Sequence, residues 1–178
     1  MWRYSGVRPL YDEAGGRAQD ASRDYVLKPD AARQLLTVYG GKLTTYRRLS
    51  EQAVDMLGGL VGKKGGHWTE RAHLPGGDFP VEGFEALVSS LAARFPGREA
   101  GLVRRLARLY GTRAEAILSQ SPGENFGHGL YAAELDYLIE TEWAQSAADI
   151  LWRRTKLGLR LSDHEVRRVE AHVGGRAQ

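Results

Sequence analysis

Cysteine is absent from this sequence of 178 residues. Disulfide bridges, thiolate nucleophiles, cysteine-ligated zinc sites and iron–sulfur clusters are therefore excluded. The sequence also has no apolar run near the ~20 residues that a membrane-spanning helix needs, and its first residues do not form the apolar stretch of a signal peptide. We therefore expect a cytoplasmic protein.

Hydrophobic residues make up 42% of the sequence and charged residues 26%. This composition is typical of a folded protein that buries a core. The length suits one medium domain, or a small domain with a fragment of another, and is short for a complete two-domain enzyme.

The charges are arranged in blocks along the chain. The net charge is +3, with basic blocks at residues 98–113 and 152–168 on either side of an acidic block at 124–149. Such blocks are as well suited to pairing with each other as to binding a polyanion. Because no nucleic-acid recognition motif accompanies them, we expect no nucleic-acid partner.

Glycine and proline concentrate at residues 61–83, which we interpret as a linker between two segments. The first segment, residues 1–60, contains two runs rich in β-branched and aromatic residues, at 24–28 and 34–39, which predict strands. An apolar stripe from Leu43 to Leu57 predicts a helix that ends at Gly58. Two strands and one helix cannot close a core, so this segment is predicted to be an incomplete α/β remnant of a larger domain.

The second segment, residues 84–178, is predicted to be a bundle of five or six helices. Apolar stripes predict helices around 84–95, 102–110 and 131–139. Thr112 with Glu115, and Ser162 with Glu165, have capping-box spacing, and Ser146 is a candidate helix cap. The fold class is thus mainly α. We expect Trp143 to lie in the core.

A candidate site lies between the second strand and its helix, at Gly40, Gly41, Lys42, Leu43 and Thr44. Paired glycines let the backbone turn sharply and approach a ligand. The helix start supplies free N–H groups and partial positive charge, which favour an anion such as a phosphate or the electronegative edge of a flavin. The P-loop pattern is not met, and a strand-to-helix turn without a ligand is the alternative.

Two arginines precede this turn. Arg8 stands between a flexible pair and Pro9, which restricts the backbone before it. A guanidinium held in this way can bind a phosphate or carboxylate with two hydrogen bonds. Arg23 could do the same, and a salt bridge with a neighbouring carboxylate is the alternative.

Three ordered segments carry a family resemblance: residues 4–10 (YSGVRPL), 22–25 (SRDY) and 40–47 (GGKLTTYR). They resemble the last part of the flavin domain of FAD-dependent glycerol-3-phosphate dehydrogenases. The segments 74–77 (LPGG), 131–135 (YAAEL) and 151–156 (LWRRTK), among others, resemble the C-terminal helical cap domain of that family. The resemblance covers almost the whole chain.

The resemblance implies a flavoenzyme that oxidises sn-glycerol 3-phosphate to dihydroxyacetone phosphate, with hydride transfer to FAD and electrons passed to quinone. It implies that Arg8 and Arg23 bind the substrate. It also implies that the turn from Gly40 to Thr44 lies at the flavin, with Lys42 as a catalytic cation near the reacting centre. The base of this family is not expected within the chain.

One departure from the family pattern limits what the chain can do alone. No G-x-G-x-x-G sequence is present in the 178 residues, so the usual cradle for the FAD pyrophosphate is missing. We expect the isolated chain to be inactive and not to retain FAD. The alternative is a free-standing helical protein-interaction module, in which Arg8 and Lys42 would lie in surface salt bridges or on an apolar binding face.

Further contacts are expected at the surface. Exposed strands could pair between copies of the chain. Arg153, Arg154 and Lys156 are expected to pair with Glu134, Asp136 or Glu140, with anionic lipid headgroups at the cytoplasmic membrane face as the alternative partner. No metal site is expected, because the five histidines lack ligand spacing.

Overall fold

The computed structural model describes residues 3, 5–7, 11, 24–62 and 65–176. The chain divides into two compact units, residues 1–72 and 73–178, which are described separately below. The domain bounds that the sequence suggests, at 60 and 84, stay a prediction.

The first unit contains a β-hairpin followed by a helix. Strand β1 (Tyr25–Asp30) pairs antiparallel with β2 (Leu35–Gly40), and Tyr25 lies opposite Gly40. A single 3₁₀ turn (Leu43–Thr45) then leads into α1 (Tyr46–Val61), and a second 3₁₀ turn covers Thr69–Arg71.

The predicted end of the first helix at Gly58 is wrong, because α1 continues to Val61. A glycine costs a helix only about 1 kcal/mol relative to alanine, so packing on one face can carry the helix past it. The helix stops instead at Gly62, which has a positive φ of 75° and whose N–H donates to the Gly58 carbonyl at 3.0 Å.

Within the described part of the first unit no residue is buried. Large apolar side chains on β2 and on α1 are instead exposed to solvent: Leu35, Val38, Tyr39, Tyr46, Val54, Met56 and Leu60. The expectation that two strands and one helix do not close a core of their own is thus met in this structure.

The second unit is mainly α-helical, as predicted. Its helices are α2 (Phe84–Arg94), α3 (Ala100–Tyr110), α4 (Ala114–Leu118), α5 (Ala132–Thr141) and α6 (Asp163–Arg176), with a π-helical turn at Asp149–Arg154 and a 3₁₀ turn at Leu157–Leu159. The core is built mainly from apolar side chains of these elements, among them Leu106, Leu138, Ile150 and Val169, and is joined by Phe126 from the segment before α5; all five are at most 1% exposed. Each such side chain contributes roughly 1.5–3 kcal/mol by leaving water.

One feature of the second unit departs from the all-helical prediction. Strands β3 (Asn125–Gly127) and β4 (Leu130–Tyr131) form a short hairpin before α5. The turn that joins them contains Gly127, His128 and Gly129, all with positive φ. Strands this short show no alternating pattern that could have predicted them.

The capping predictions had different outcomes. The box at the start of α6 is confirmed: the Ser162 N–H donates to Glu165 at 2.8 Å, and the Glu165 N–H donates to the Ser162 hydroxyl at 3.4 Å. Ser146 likewise accepts from the Asp149 N–H at 3.3 Å. The box predicted at Thr112 is wrong, because its hydroxyl donates to Asp78 instead.

Residue Thr112 is redirected by a close backbone contact. Its N–H donates to the Gly76 carbonyl at 3.1 Å, which brings the 74–77 turn against the end of α3. Gly76 and Gly111 meet there with positive φ values of 85° and 57°, and a Cβ on either would overlap the backbone of the facing segment. Only glycine fits both positions.

Opposite-sign blocks do pair with each other in the second unit. Arg105 binds Glu134, and Arg168 binds Glu124. The partners predicted for the 153–156 cluster are wrong, however. Arg153 pairs with Asp149 in the preceding turn, while Glu134, Asp136 and Glu140 pair with Arg105, His172 and Arg176.

The expectation that Trp143 lies in the core is also wrong. Its side chain is 86% exposed, and its backbone is left-handed with φ 55°. The reason is its place in the chain, because α5 has already ended at Thr141 and the loop turns the indole outward.

In the described ranges, no helix is both long and apolar enough to cross a bilayer.

Candidate functional site

The glycine pair at the end of β2 makes the turn that the sequence predicts. Gly40 has φ 67° and Gly41 φ 102°, backbone angles that residues other than glycine rarely adopt. A Cβ on Gly41 would lie 3.4 Å from the Cβ of Tyr25 and 3.6 Å from Leu49 Cδ1. The turn is therefore packed closely between β1 and α1.

Hydrogen bonds with Thr45 hold Lys42 in place after this turn. The Thr45 hydroxyl donates to the Lys42 carbonyl at 2.8 Å and accepts from the Lys42 N–H at 3.3 Å. The Thr45 N–H also donates to the Lys42 carbonyl at 3.0 Å. Lys42 itself is extended, with φ −117° and ψ 149°, so the chain changes direction at this residue.

Leu43 and Thr44 are the first two residues of the 3₁₀ turn. The opening N–H groups of a helical turn have no acceptor within it, and here both residues are exposed, with the Leu43 side chain 89% exposed. The aligned peptides of α1 behind them add partial positive charge. The arrangement can thus offer N–H donors and a cation to an anionic group.

The ammonium group of Lys42 already has a partner. Its Nζ lies 3.3 Å from Asp24 Oδ1, in a pair whose side chains are 48% and 75% exposed. A surface salt bridge at Lys42 is what the interaction-module alternative predicts. An exposed pair of this kind contributes at most about 1 kcal/mol, so a competing anion could displace Asp24 at low cost.

Arg8 and Arg23, the two predicted substrate-binding arginines, lie outside the described residues. Of the predicted site, the structure therefore brings together the turn from Gly40 to Thr44. The roles assigned to these residues and to the two arginines stay predictions.

A second polar cluster of the first unit was not foreseen as a site. Its residues Glu51, Asp55, His67 and Thr69 line a cavity of about 500 Å³ beside α1. Thr69 donates to Glu51 at 2.5 Å, and Arg47 binds the same carboxylate at 3.2 Å. The His67 Nε2 atom lies 2.7 Å from Asp55 Oδ2. The hydrogen bond from Thr69 holds the pKa of Glu51 below its usual value. The i,i+4 spacing of Arg47 and Glu51 was visible in the sequence, whereas the contact with residues 67–69 depends on the loop.

Comparison with known proteins decides the family. A model of the C-terminal domain of alpha-glycerophosphate oxidase matches residues 67–173. The chain belongs to this family. The match covers most of the second unit, and the family resemblance drawn from the sequence motifs is confirmed.

Relatives of the family extend the similarity into the first unit. The chain is 45% identical to a glycerol-3-phosphate dehydrogenase of Pseudomonas aeruginosa, with 96% of the chain and 35% of that protein covered. It is 42% identical to the aerobic glycerol-3-phosphate dehydrogenase of Escherichia coli K12, with 95% and 35% covered. It is 38% identical to a D-erythritol 1-phosphate dehydrogenase of Brucella abortus, with 91% and 34% covered. The chain thus spans about a third of the length of these curated relatives.

Proposed function

We propose that this chain is the C-terminal part of an FAD-dependent enzyme that oxidises sn-glycerol 3-phosphate to dihydroxyacetone phosphate. The observation that carries the proposal is the glycine turn followed by the exposed residues Lys42, Leu43 and Thr44, in a unit that buries none of its described residues. The family of the chain and the names of its relatives support the same reaction.

The groups at the turn suit a flavin. The carbonyl edge of the isoalloxazine ring is electronegative, and it needs N–H donors and positive charge. The first amides of the 3₁₀ turn at Leu43 and Thr44 and the ammonium of Lys42 are groups of that kind, and the carboxylate that pairs with Lys42 is the exposed Asp24. The residues present therefore fit this cofactor.

Each side chain has a distinct part in the proposed reaction. Bound FAD supplies the hydride acceptor for oxidation at C2 of the substrate. When the substrate binds, the ammonium of Lys42 leaves Asp24 and lies beside the oxygen on C2 of the substrate. Negative charge develops on this oxygen as the hydroxyl loses its proton, and the positive charge of Lys42 stabilises it. Arg8 and Arg23 bind the phosphate with paired hydrogen bonds and so orient C2. We assign no base to this chain.

The exposed apolar face of the first unit is where we place the rest of the flavin domain. Leu35 and Val38 on β2 are 52% and 45% exposed, and Val54 and Leu60 on α1 are 59% and 52% exposed. A soluble protein rarely leaves such a set uncovered. We propose that this face is covered by a part of the enzyme that corresponds to the remaining two thirds of the relatives, which lies outside the match.

We further propose a quinone as electron acceptor and a peripheral position at the cytoplasmic membrane face. The name of the Escherichia coli relative, an aerobic dehydrogenase, supports the respiratory part of this proposal. Self-association through β1 and β2 is also proposed, since the two strands form a small two-stranded sheet and exposed strand edges can pair between copies. Vesicle sedimentation and size-exclusion chromatography would test these two contacts.

We expect the 178-residue chain by itself neither to retain FAD nor to oxidise the substrate, because it contains no G-x-G-x-x-G cradle. The purified chain should show no flavin absorbance band and no substrate-dependent dye reduction. A flavin band in the chain alone would contradict this expectation.

The test of the proposed function is complementation. The chain is mixed with FAD and with the portion of the Pseudomonas aeruginosa relative that precedes the matched region. Dye reduction is then measured with sn-glycerol 3-phosphate and, because one relative is named for it, with D-erythritol 1-phosphate. Activity that requires both polypeptides supports the proposal.

The Lys42–Asp24 salt bridge favours a second candidate, a protein-interaction module. This hypothesis predicts that the two polypeptides bind each other without producing activity. A stable but inactive complex that contains FAD would therefore support the module and contradict the enzymatic role.

A further inference from the structure

A groove in the second unit carries positive charge that the proposed reaction does not use. It has a volume of about 630 Å³ and lies among α3, the β3–β4 turn and residues 155–160. Arg108, Lys156, Arg160 and His128 line it, and Glu99 is the one carboxylate among its lining residues. This volume is within the range of small-molecule sites.

Two of these cations have no partner among the described residues. The guanidinium groups of Arg108 and Arg160 make no hydrogen bond or ion pair there, whereas exposed arginines nearby do, as Arg104 does with Glu85. Lys156 donates to the Trp152 carbonyl and forms no ion pair with a carboxylate of the described residues. The groove therefore has unneutralised positive charge.

A further arginine, Arg105, lines the groove and is held in place by hydrogen bonds. Its guanidinium binds Glu134 through two bonds of 2.8 and 2.5 Å and donates to the Gly129 carbonyl at 2.6 Å. These bonds fix the β3–β4 turn against α3. The charge of Arg105 is balanced by Glu134, so Arg105 shapes the groove and the other cations supply its charge.

The backbone at the groove is strained in two places. His128 and Lys156 have φ values of 50° and 60°, and they are two of four non-glycine residues with positive φ in the described part of the chain. Such conformations cost of order 1 kcal/mol each and tend to occur at functional sites. Both residues line this groove.

Apolar side chains accompany the charge. Leu109 and Leu159 line the groove and are 42% and 77% exposed. A ligand that satisfies both features carries an anionic group and an apolar part. We propose that this groove binds a phosphate ester, with Arg108, Lys156 and Arg160 on the phosphate and the leucines on its apolar portion.

A free phosphate ester and a phospholipid headgroup share this chemistry, and the experiment separates them. The full chain, labelled with ¹⁵N, is titrated with phenyl phosphate and, in a second arm, with short-chain phosphatidylglycerol below its micelle concentration. Shifts of the backbone signals at 127–129 and 155–160 report binding without reference to any enzymatic activity.

Variants make the test specific. Arg108→Gln with Arg160→Gln should weaken binding about tenfold, because it removes two of the three unbalanced cations. Arg113→Gln with Arg167→Gln removes the same charge from exposed positions that do not line the groove, and should leave the affinity within about twofold.

Each outcome decides the proposal. Binding of phenyl phosphate that the groove variant weakens supports a free ester as the ligand, and binding of the lipid alone with the same dependence supports a headgroup. No shift with either probe overturns the proposal, as does equal loss in the two double variants. Because the site lies outside the glycine turn, its failure would leave the complementation result unaffected.

Discussion

Removal of the Glu134 carboxylate tests how the core of the second unit is held together. Glu134 is 1% exposed and is the one charged residue buried among the described residues. It accepts two bonds from Arg105, whose side chain is 21% exposed, and a third from the Tyr110 hydroxyl at 2.8 Å. Burial and the neighbouring carboxylate raise the pKa of Tyr110, which therefore stays a donor.

The variant Glu134→Ala removes the only carboxylate that balances the charge of Arg105 among the described residues and leaves the Tyr110 hydroxyl without its acceptor, while Arg105 keeps its bond to the Gly129 carbonyl. Removing one partner of a buried ion pair costs about 3–5 kcal/mol. We take the lower end, about 3 kcal/mol, because Arg105 keeps some access to water. For a unit of this size, the melting temperature should fall by more than about 10 °C.

The chain supplies a matched control at its surface. Arg104 binds Glu85 through two bonds of 2.8 and 2.6 Å, in the same paired geometry, but the side chains are 50% and 69% exposed. Glu85→Ala should cost far less than Glu134→Ala, because water screens an exposed pair. Urea unfolding followed by far-ultraviolet circular dichroism compares the two variants. If Glu134→Ala costs no more than Glu85→Ala, burial does not govern the strength of these pairs and the reasoning fails.

Two further predictions concern backbone packing and acid sensitivity. Gly111→Ala should lower the free energy of unfolding by at least about 2 kcal/mol, because its Cβ would overlap the Gly76 carbonyl, whereas Gly97→Ala, with open space around it, should be near neutral in thermal melts. Hydrogen bonds from the backbone N–H and the hydroxyl of Ser162 lower the pKa of Glu165 below its usual 4.5. The ionised carboxylate therefore stabilises the fold fully above pH 4.5, and this stabilisation is lost as the pH falls through the lower pKa of the folded state. Glu165→Gln should thus be less stable than the parent at pH 7 and equal to it in strong acid, and a constant difference in unfolding free energy from pH 7 to 2.5 would refute this account.

Most helices were predictable because their apolar side chains repeat at helical spacing. The stripe Leu102, Val103 and Leu106 is buried in α3 as its spacing requires, whereas Arg104 and Arg108 of the same helix are exposed. The β3–β4 hairpin was not predictable, since its strands are too short to show an alternating pattern.

Contacts between distant segments were a second source of error. The Thr112 hydroxyl has the spacing of a local cap, but the 74–77 turn brings Asp78 within its reach. The candidate site was visible because its glycines, lysine and threonine are adjacent in the sequence, whereas the salt bridge of Lys42 with Asp24 spans 18 residues and leaves no local signal. The groove around Arg108 and Arg160 unites residues some fifty positions apart and was likewise out of reach.

The central claim, that the glycine turn lies at the reacting centre, is tested most directly at Lys42. The measurement is the substrate-dependent rate of dye reduction by the complemented enzyme with Lys42→Met, and Lys28→Met on β1 serves as the control that removes an exposed ammonium from the same unit. We predict a fall of about 10²-fold in kcat for Lys42→Met, the size expected when a group that stabilises developing charge is lost, and little change for Lys28→Met. Equal rates for the two variants, at the same FAD content, would contradict the account.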